Sequence, residues 1–118
     1  MSTLRGKVTS FPNEGAVAAF RNRSRRMEGP FFSLLAAPSE GGKSFVRIVS
    51  SKRNIGGAVE RNRARRRLRA AVQKVWSAQK PVDLVLYARG AVLTADFGEI
   101  VESLKKGVRN ALGADLAN

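Results

Sequence analysis

The chain has 118 residues, 43% of them hydrophobic, so it is long enough for one cored domain and too apolar to be disordered throughout. Lysine and arginine number 22 against 9 aspartates and glutamates, a formal net charge of +13, which favours a polyanionic partner over a neutral one. Cysteine and histidine are both absent, which excludes a disulfide framework, a thiolate nucleophile, a histidine base and the commonest zinc ligands.

In chain order, the N-terminal "MSTLRGKVTSF" has no apolar core of the secretory type, and no run approaches the about 18 apolar residues of a membrane span. These features imply a cytoplasmic protein that does not engage membranes. Asn13 is placed to cap a short helix from Glu14 to about Arg21, with Ala16, Val17 and Phe20 on one side. A basic cluster follows at Arg21, Arg23, Arg25 and Arg26. "FFSLLAA" alternates as a strand, with Phe32 and Leu34 on one face and Phe31, Ser33 and Leu35 on the other. "PSEGGK" reads as a turn, and "SFVRIVS" as the next strand, pairing with its predecessor in a hairpin.

Gly56-Gly57 precede a helical segment expected to run to Ser77, and "VDLVLYA" from Val82 to Ala88 has the length and composition of a buried strand. A last helix spans about Asp96 to Leu112, capped by Thr94. Phe97, Ile100, Val101, Leu104, Val108 and Leu112 form its inward stripe. The pattern predicts a single mixed α/β domain over residues 1–118, with an ordered core of about 11–112 and its helices on one face of the sheet.

The segment after Gly57 contains the chemistry. Six arginines fall between Arg61 and Arg69, and Glu60 is the only acid from Lys52 to Lys74. On a helix, Ala64, Leu68, Ala71, Val72, Val75 and Trp76 share one stripe, so the C-terminal half packs on a sheet. Arg61 and Arg65 lie over the same stripe one or two turns earlier. There they are expected to overhang the sheet into a groove or solvent, since unpaired burial would cost several kcal/mol. Asn62, Arg66 and Arg69 fan out on one flank, and Arg63 and Arg67 on the other. A merely solvated face would mix its signs to offset repulsion. Arginine in place of lysine suits bidentate phosphate contacts and base stacking.

The carboxylates show no paired spacing for a two-metal nuclease centre. Asp96, Glu99 and Glu102 read as a helix start followed by a polar face. Gly41-Gly42-Lys43-Ser44 lacks the upstream glycine of a phosphate loop, its place being taken by Ala37. The residues by themselves describe an RNA- or DNA-binding protein with no catalytic residues and no metal site of its own.

"NIGGAVERNRARRRLRAAV" resembles the signature of the bacterial ribonuclease P protein family: a glycine, an Ala-Val pair, Arg-Asn-Arg and a basic helix. The matching residues are Gly56, Ala58, Val59, Arg61, Asn62, Arg63, Arg65 or Arg66, and Arg69. "NEGAVAAF", "FFSLLAA", "FVRIVSSKR" and "VDLVLYARGA" extend the similarity from about Phe11 to Leu112. The resemblance implies an α+β domain of α-β-β-β-α-β-α order, ribosomal protein S5 domain 2-like, with a left-handed β-α-β crossover against the usual hand. It adds a strand near Ser24–Met27.

The resemblance further implies a protein subunit of an endoribonuclease, and a monomer is the simplest reading of the chain. Its catalytic RNA partner binds Mg²⁺ and removes the 5′ leader of precursor tRNA. RNA contacts then fall to Lys52, Arg53, Arg61, Asn62, Arg63, Arg65, Arg66, Arg67 and Arg69. Phe20, Arg21, Phe32, Arg47 and Arg89 belong to a cleft for the single-stranded leader, between the first helix and the sheet. Two family aromatics are replaced, by Ala16 and Leu35, which implies weaker base stacking, with Arg21, Arg47 and Arg89 compensating through phosphates. A ribosomal or other structural RNA-binding protein without a role in cleavage is the alternative, and a free-standing nuclease lacks a catalytic constellation.

Overall fold

The computed structural model describes residues 8–39, 43–75 and 82–113. Its elements run β1 (Val8–Thr9), α1 (Glu14–Arg23), β2 (Arg25–Glu28), β3 (Phe32–Pro38), β4 (Ser44–Val49), α2 (Lys52–Ile55), α3 (Ala58–Val75), β5 (Val82–Ala88), a 3-10 turn (Gly90–Leu93) and α4 (Phe97–Leu112). The order is the expected α-β-β-β-α-β-α, with a two-residue first strand and a single helical turn, α2, added.

The five strands lie in the order β1-β4-β5-β3-β2. β5 runs parallel to β4 and antiparallel to β3. The hairpin expected between β3 and β4 is therefore not formed, because β5 lies between them. The reason is burial: β5 is buried at six of its seven residues, and only a central position covers both of its faces. The expected turn at Glu40–Gly42 lies outside the described residues, as does Trp76. The strand implied near Ser24–Met27 is β2, which pairs antiparallel with β3, Arg25 opposite Ala36 and Glu28 opposite Ser33.

Helices cover both faces of the sheet, not one. On the larger side α3 and α4 bury Ala64, Leu68, Val72, Ile100, Leu104 and Val108 against Phe32, Leu34, Val46, Leu84 and Leu86. On the other side α1 closes a smaller cluster of Phe11, Val17, Phe20, Ala37 and Val85. The period-2 alternation of β3 and β5 distributes their side chains between these two cores. Gly107 marks the tightest approach of α4: a Cβ there would come within 2.7 Å of Leu34 Cδ2.

Caps agree with local chemistry. Asn13 Oδ1 accepts from Ala16 N at 2.8 Å, as its position suggests. On α4 the cap is Asp96, which accepts from Gly98 N at 3.0 Å, and not Thr94. Thr94 instead ends the 3-10 turn that intervenes between β5 and α4.

Asp83 ties the two layers around β4 and β5 to α1. It is 2% exposed and accepts from Arg23 Nη2 at 2.6 Å and from Phe45 N at 3.0 Å. Arg23 also donates to Pro38 O at 2.7 Å, so one guanidinium fastens the end of α1 to two strands. Replacing Asp83 by Ala leaves the Phe45 amide and Arg23 short of a partner. Urea unfolding should show a loss of about 2–3 kcal/mol, below the about 3–5 of fully buried pairs, since the Arg23 side chain is 30% exposed.

Candidate nucleic-acid interface

The basic helix α3 sorts its cations by what lies beneath them. Ala64, Leu68, Ala71, Val72 and Val75 are buried, as their spacing requires. Asn62, Arg63, Arg66 and Arg69 are exposed. Arg63, Arg66 and Arg69 have no carboxylate partner among the described residues. Asn62, Arg65, Arg66 and Arg69 line a concavity of about 290 Å³. Lys52 and Arg53 are also exposed, on the helical turn α2 that follows β4.

Three arginines of the set are turned inward. Arg61 Nη1 donates to Gly56 O at 2.8 Å. Gly56 adopts φ 117°, a left-handed conformation that glycine tolerates readily, and it is the carbonyl of this residue that receives the guanidinium. Arg65 donates to Ser50 Oγ at 2.8 Å and to Asn62 Oδ1. Ser50, itself buried, donates to Arg61 O at 3.0 Å. Arg61 and Arg65 thus do not overhang into solvent. They are half-buried and clamp the start of α3 to the end of β4, because backbone carbonyls and a serine supply the acceptors that the sequence pattern left unassigned. Arg67 points elsewhere, donating to Ala95 O at the entry to α4, with its Nε buried and without a hydrogen-bond partner among the described residues.

The second surface lies on the α1 side of the sheet. Phe20 is fully buried beneath it, packed on Phe11 at 5.3 Å between ring centroids. Phe32 faces the opposite core with α3 and α4 and cannot line a cleft under α1, a correction that follows from strand alternation. Arg47 stands at one end, in a bidentate pair with Glu14 at 2.8 and 3.3 Å. That contact holds the Glu14 carboxyl below its ordinary range and raises Arg47. Arg21 is exposed and donates to the Tyr87 hydroxyl at 2.8 Å.

Tyr87, Arg26, Glu28, Ser33 and Asn54 were not assigned to the site from the sequence. Arg26, Ser33, Asn54, Tyr87, Arg89 and Gly90 line a concavity of about 470 Å³ at the end of β5. The Arg26 guanidinium lies 5.9 Å from the Tyr87 ring centroid. Glu28 accepts from Ser33 Oγ at 2.6 Å, from Arg26 Nε at 2.5 Å and from Arg89. Hydrogen bonds from Ser33, then Arg26 and Arg89, hold its carboxyl at about 2. The signal for Tyr87 was present in "VDLVLYA", where Asp83, Val85 and Tyr87 share one face. A tyrosine hydroxyl on an otherwise apolar strand asks for a polar surrounding.

Comparison with known proteins shows the family and the fold. The family model "Ribonuclease P" matches residues 15–112. The chain belongs to the ribonuclease P protein family. A ribonuclease P protein component from Erythrobacter litoralis is 36% identical over 92 residues, covering 76% of this chain and 75% of that protein. One from Caulobacter vibrioides is 41% identical over 74 residues, covering 60% of this chain and 49% of that protein. The fold is shared with a mutant Staphylococcus aureus RNase P protein, at TM-score 0.72 and 18% identity, covering 91% of this chain and 88% of that one. It is shared too with the RNase P protein of Thermotoga maritima, at TM-score 0.70 and 19% identity, covering 88% and 98%. Among the described residues no helix is long and apolar enough to cross a membrane, and no three acidic side chains gather to hold a metal ion.

The inward and outward arginines should separate by experiment. Arg61→Ala removes a charged donor to Gly56 O and should lower unfolding stability by about 1–2 kcal/mol. Arg63→Ala should change it by less than about 0.5 kcal/mol; thermal denaturation of both variants checks the contrast. Glu28 makes a pH prediction. Its carboxyl is held at about 2 against 4.5 for a free glutamate. Its contribution to stability is therefore complete above about pH 4.5 and lost as pH falls toward 2. Acid titration of Glu28→Gln should lack that part of the wild-type decline, and carboxyl NMR should place the Glu28 midpoint well below 4.

Proposed function

We propose that this ribonuclease P subunit presents α3 to the catalytic RNA and holds the 5′ leader of precursor tRNA on the α1-facing side of the sheet. The observation that supports this most strongly is the row Arg63, Arg66 and Arg69. These cations project from a helix whose other face is core, and no acid among the described residues neutralises them. An RNA surface supplies the missing counter-charge through phosphates, with guanidiniums able to take two oxygens at once. Lys52, Arg53 and Asn62 extend the same surface. Arg61 and Arg65 act in this reading by fixing the helix start, so that the outer arginines meet the RNA at a set angle.

The leader passes over Tyr87 and between Arg21, Arg26, Arg47 and Arg89. The Tyr87 ring offers a face where Ala16 and Leu35 do not, and stacking of one base is worth about 1–3 kcal/mol. Phe20 supports this surface from below. In this reading the hydrolysis of the phosphodiester belongs to the RNA subunit and its Mg²⁺, and the described residues hold no group of three acidic side chains that could bind a metal ion. The protein works as a monomer in the cytoplasm and supplies positioning and charge neutralisation. A structural RNA-binding role without cleavage would use the same α3 surface, and the family match over residues 15–112 favours the ribonuclease P role over it.

Reconstitution with a bacterial ribonuclease P RNA and precursor tRNA at low Mg²⁺ tests the proposal. Protein should stimulate 5′ cleavage only when the RNA is present; cleavage by protein alone would overturn it. Arg63→Ala, Arg66→Ala and Arg69→Ala together should weaken association with the RNA and flatten the dependence of log K on log salt by about 2–3, near 0.9 per lost phosphate contact. An unchanged salt slope would remove these arginines from the interface.

A further inference from the structure

A surface meant for a polyanion has no evident need of carboxylates, and this chain has few to spend. Yet Glu28 stands on β2 at the margin of the concavity beside Tyr87, bonded to three of the residues that line it. Its two oxygens take hydrogen from Ser33 Oγ at 2.6 Å, Arg26 Nε at 2.5 Å and Arg89. Arg89 also donates to Ser33 Oγ at 3.0 Å, so hydroxyl and guanidinium converge on the same acceptor. Two guanidiniums and a hydroxyl around one anion are the donor set of a phosphate site. The Glu28 side chain is 53% exposed, so water and RNA can both reach it.

We propose that Glu28 is a specificity-determining residue, an internal stand-in for an RNA phosphate that occupies Arg26, Arg89 and Ser33 until a seated leader displaces it. The inference rests on reading the α1-facing surface as the leader site. A phosphate arriving there exchanges one charge-assisted set of hydrogen bonds for another, so its net gain at this point is small. A loose single strand therefore binds weakly. A leader already held through the rest of the precursor and the α3 surface competes at high effective concentration and completes the exchange. Rejection of the wrong partner by a repulsive element is a general route to specificity.

Glu14 does the same for Arg47 at the other end of α1. Arg21 is left with a neutral partner, the Tyr87 hydroxyl, and is the cleft cation open to a first encounter. A purely structural role for Glu28 is the competing explanation. Exposed ion pairs contribute little to stability. The two explanations also predict opposite signs for RNA binding.

The test is anisotropy titration of a labelled single-stranded RNA of leader length with wild type, Glu28→Gln and Glu102→Gln over a range of salt. Glu102 lies on α4, where it pairs with Lys105 at 3.6 Å and is 76% exposed, so its replacement makes the same change in net charge away from the cleft. E28Q should bind the single strand about fivefold more tightly than wild type at low salt, with a salt slope steeper by about 0.7 for each arginine released. E102Q should change affinity by less than about twofold. Adding Arg89→Ala to E28Q should cancel most of the gain. Glu28→Thr, which favours a strand, should act in the same direction if the glutamine variant is poorly folded. Binding by E28Q no tighter than by E102Q, or weaker than wild type, overturns the proposal. Holoenzyme binding of precursor with and without its leader is measured alongside. If wild type does not distinguish these two, the leader-site reading fails, whereas the E28Q and E102Q contrast on single strands still decides the role of Glu28.

Discussion

Burial of β5 on both faces is the constraint from which the architecture follows. Val82, Leu84, Leu86 and Ala88 need one apolar layer, and Val85 needs another. A strand of that kind takes the middle of a sheet, so β3 and β4 are separated and α3 is carried across to bring the chain from β4 to β5. Two helices then close one face and α1 the other. The concavity at the end of β5 and the cationic helix α3 are both consequences of this sandwich. With its centre fixed, its polar margins are free to hold charge.

Those margins divide the positive charge into held and open cations. Arg23, Arg61, Arg65 and Arg67 spend their donors on Asp83, Gly56, Ser50 and Ala95, and so work as ties between elements. Arg63, Arg66 and Arg69 are exposed, with no carboxylate partner among the described residues. Arg26, Arg47 and Arg89 are intermediate, matched by Glu28 and Glu14 in positions that RNA can reach. A net charge of +13 is thus not a uniform cloud. It is spent partly on internal fastening, partly on an open front, and partly on a surface whose charge is masked.

Much of the site was legible because helical and strand periods act locally. Leu68, Val72 and Val75 had to face inward once the segment was a helix, and Asn13 had to cap whatever began at Glu14. The signature around Arg61-Asn62-Arg63 pointed to the family, which the match over residues 15–112 bears out. Side-chain reach was not legible in the same way. The spacing put Arg61 and Arg65 over the buried stripe but could not say what they bond to, since an arginine's partner depends on which carbonyl or hydroxyl lies within reach of its long side chain. Phe32 was assigned to the wrong side for a related reason. Alternation says which residues share a face, and leaves open which helix covers that face.

By itself the sequence determined the class of fold, the family, the inward stripes of α3 and α4 and the polyanionic character of the partner. All of these rest on period, composition and a contiguous motif. Only the tertiary structure decided that β5 divides β3 from β4, that α1 lies opposite α3, that Tyr87 joins Arg26 and Arg89 around Glu28, and that half the arginine run faces inward. Each of these depends on contacts between residues distant in sequence, where the competition among acceptors for a guanidinium is settled by packing.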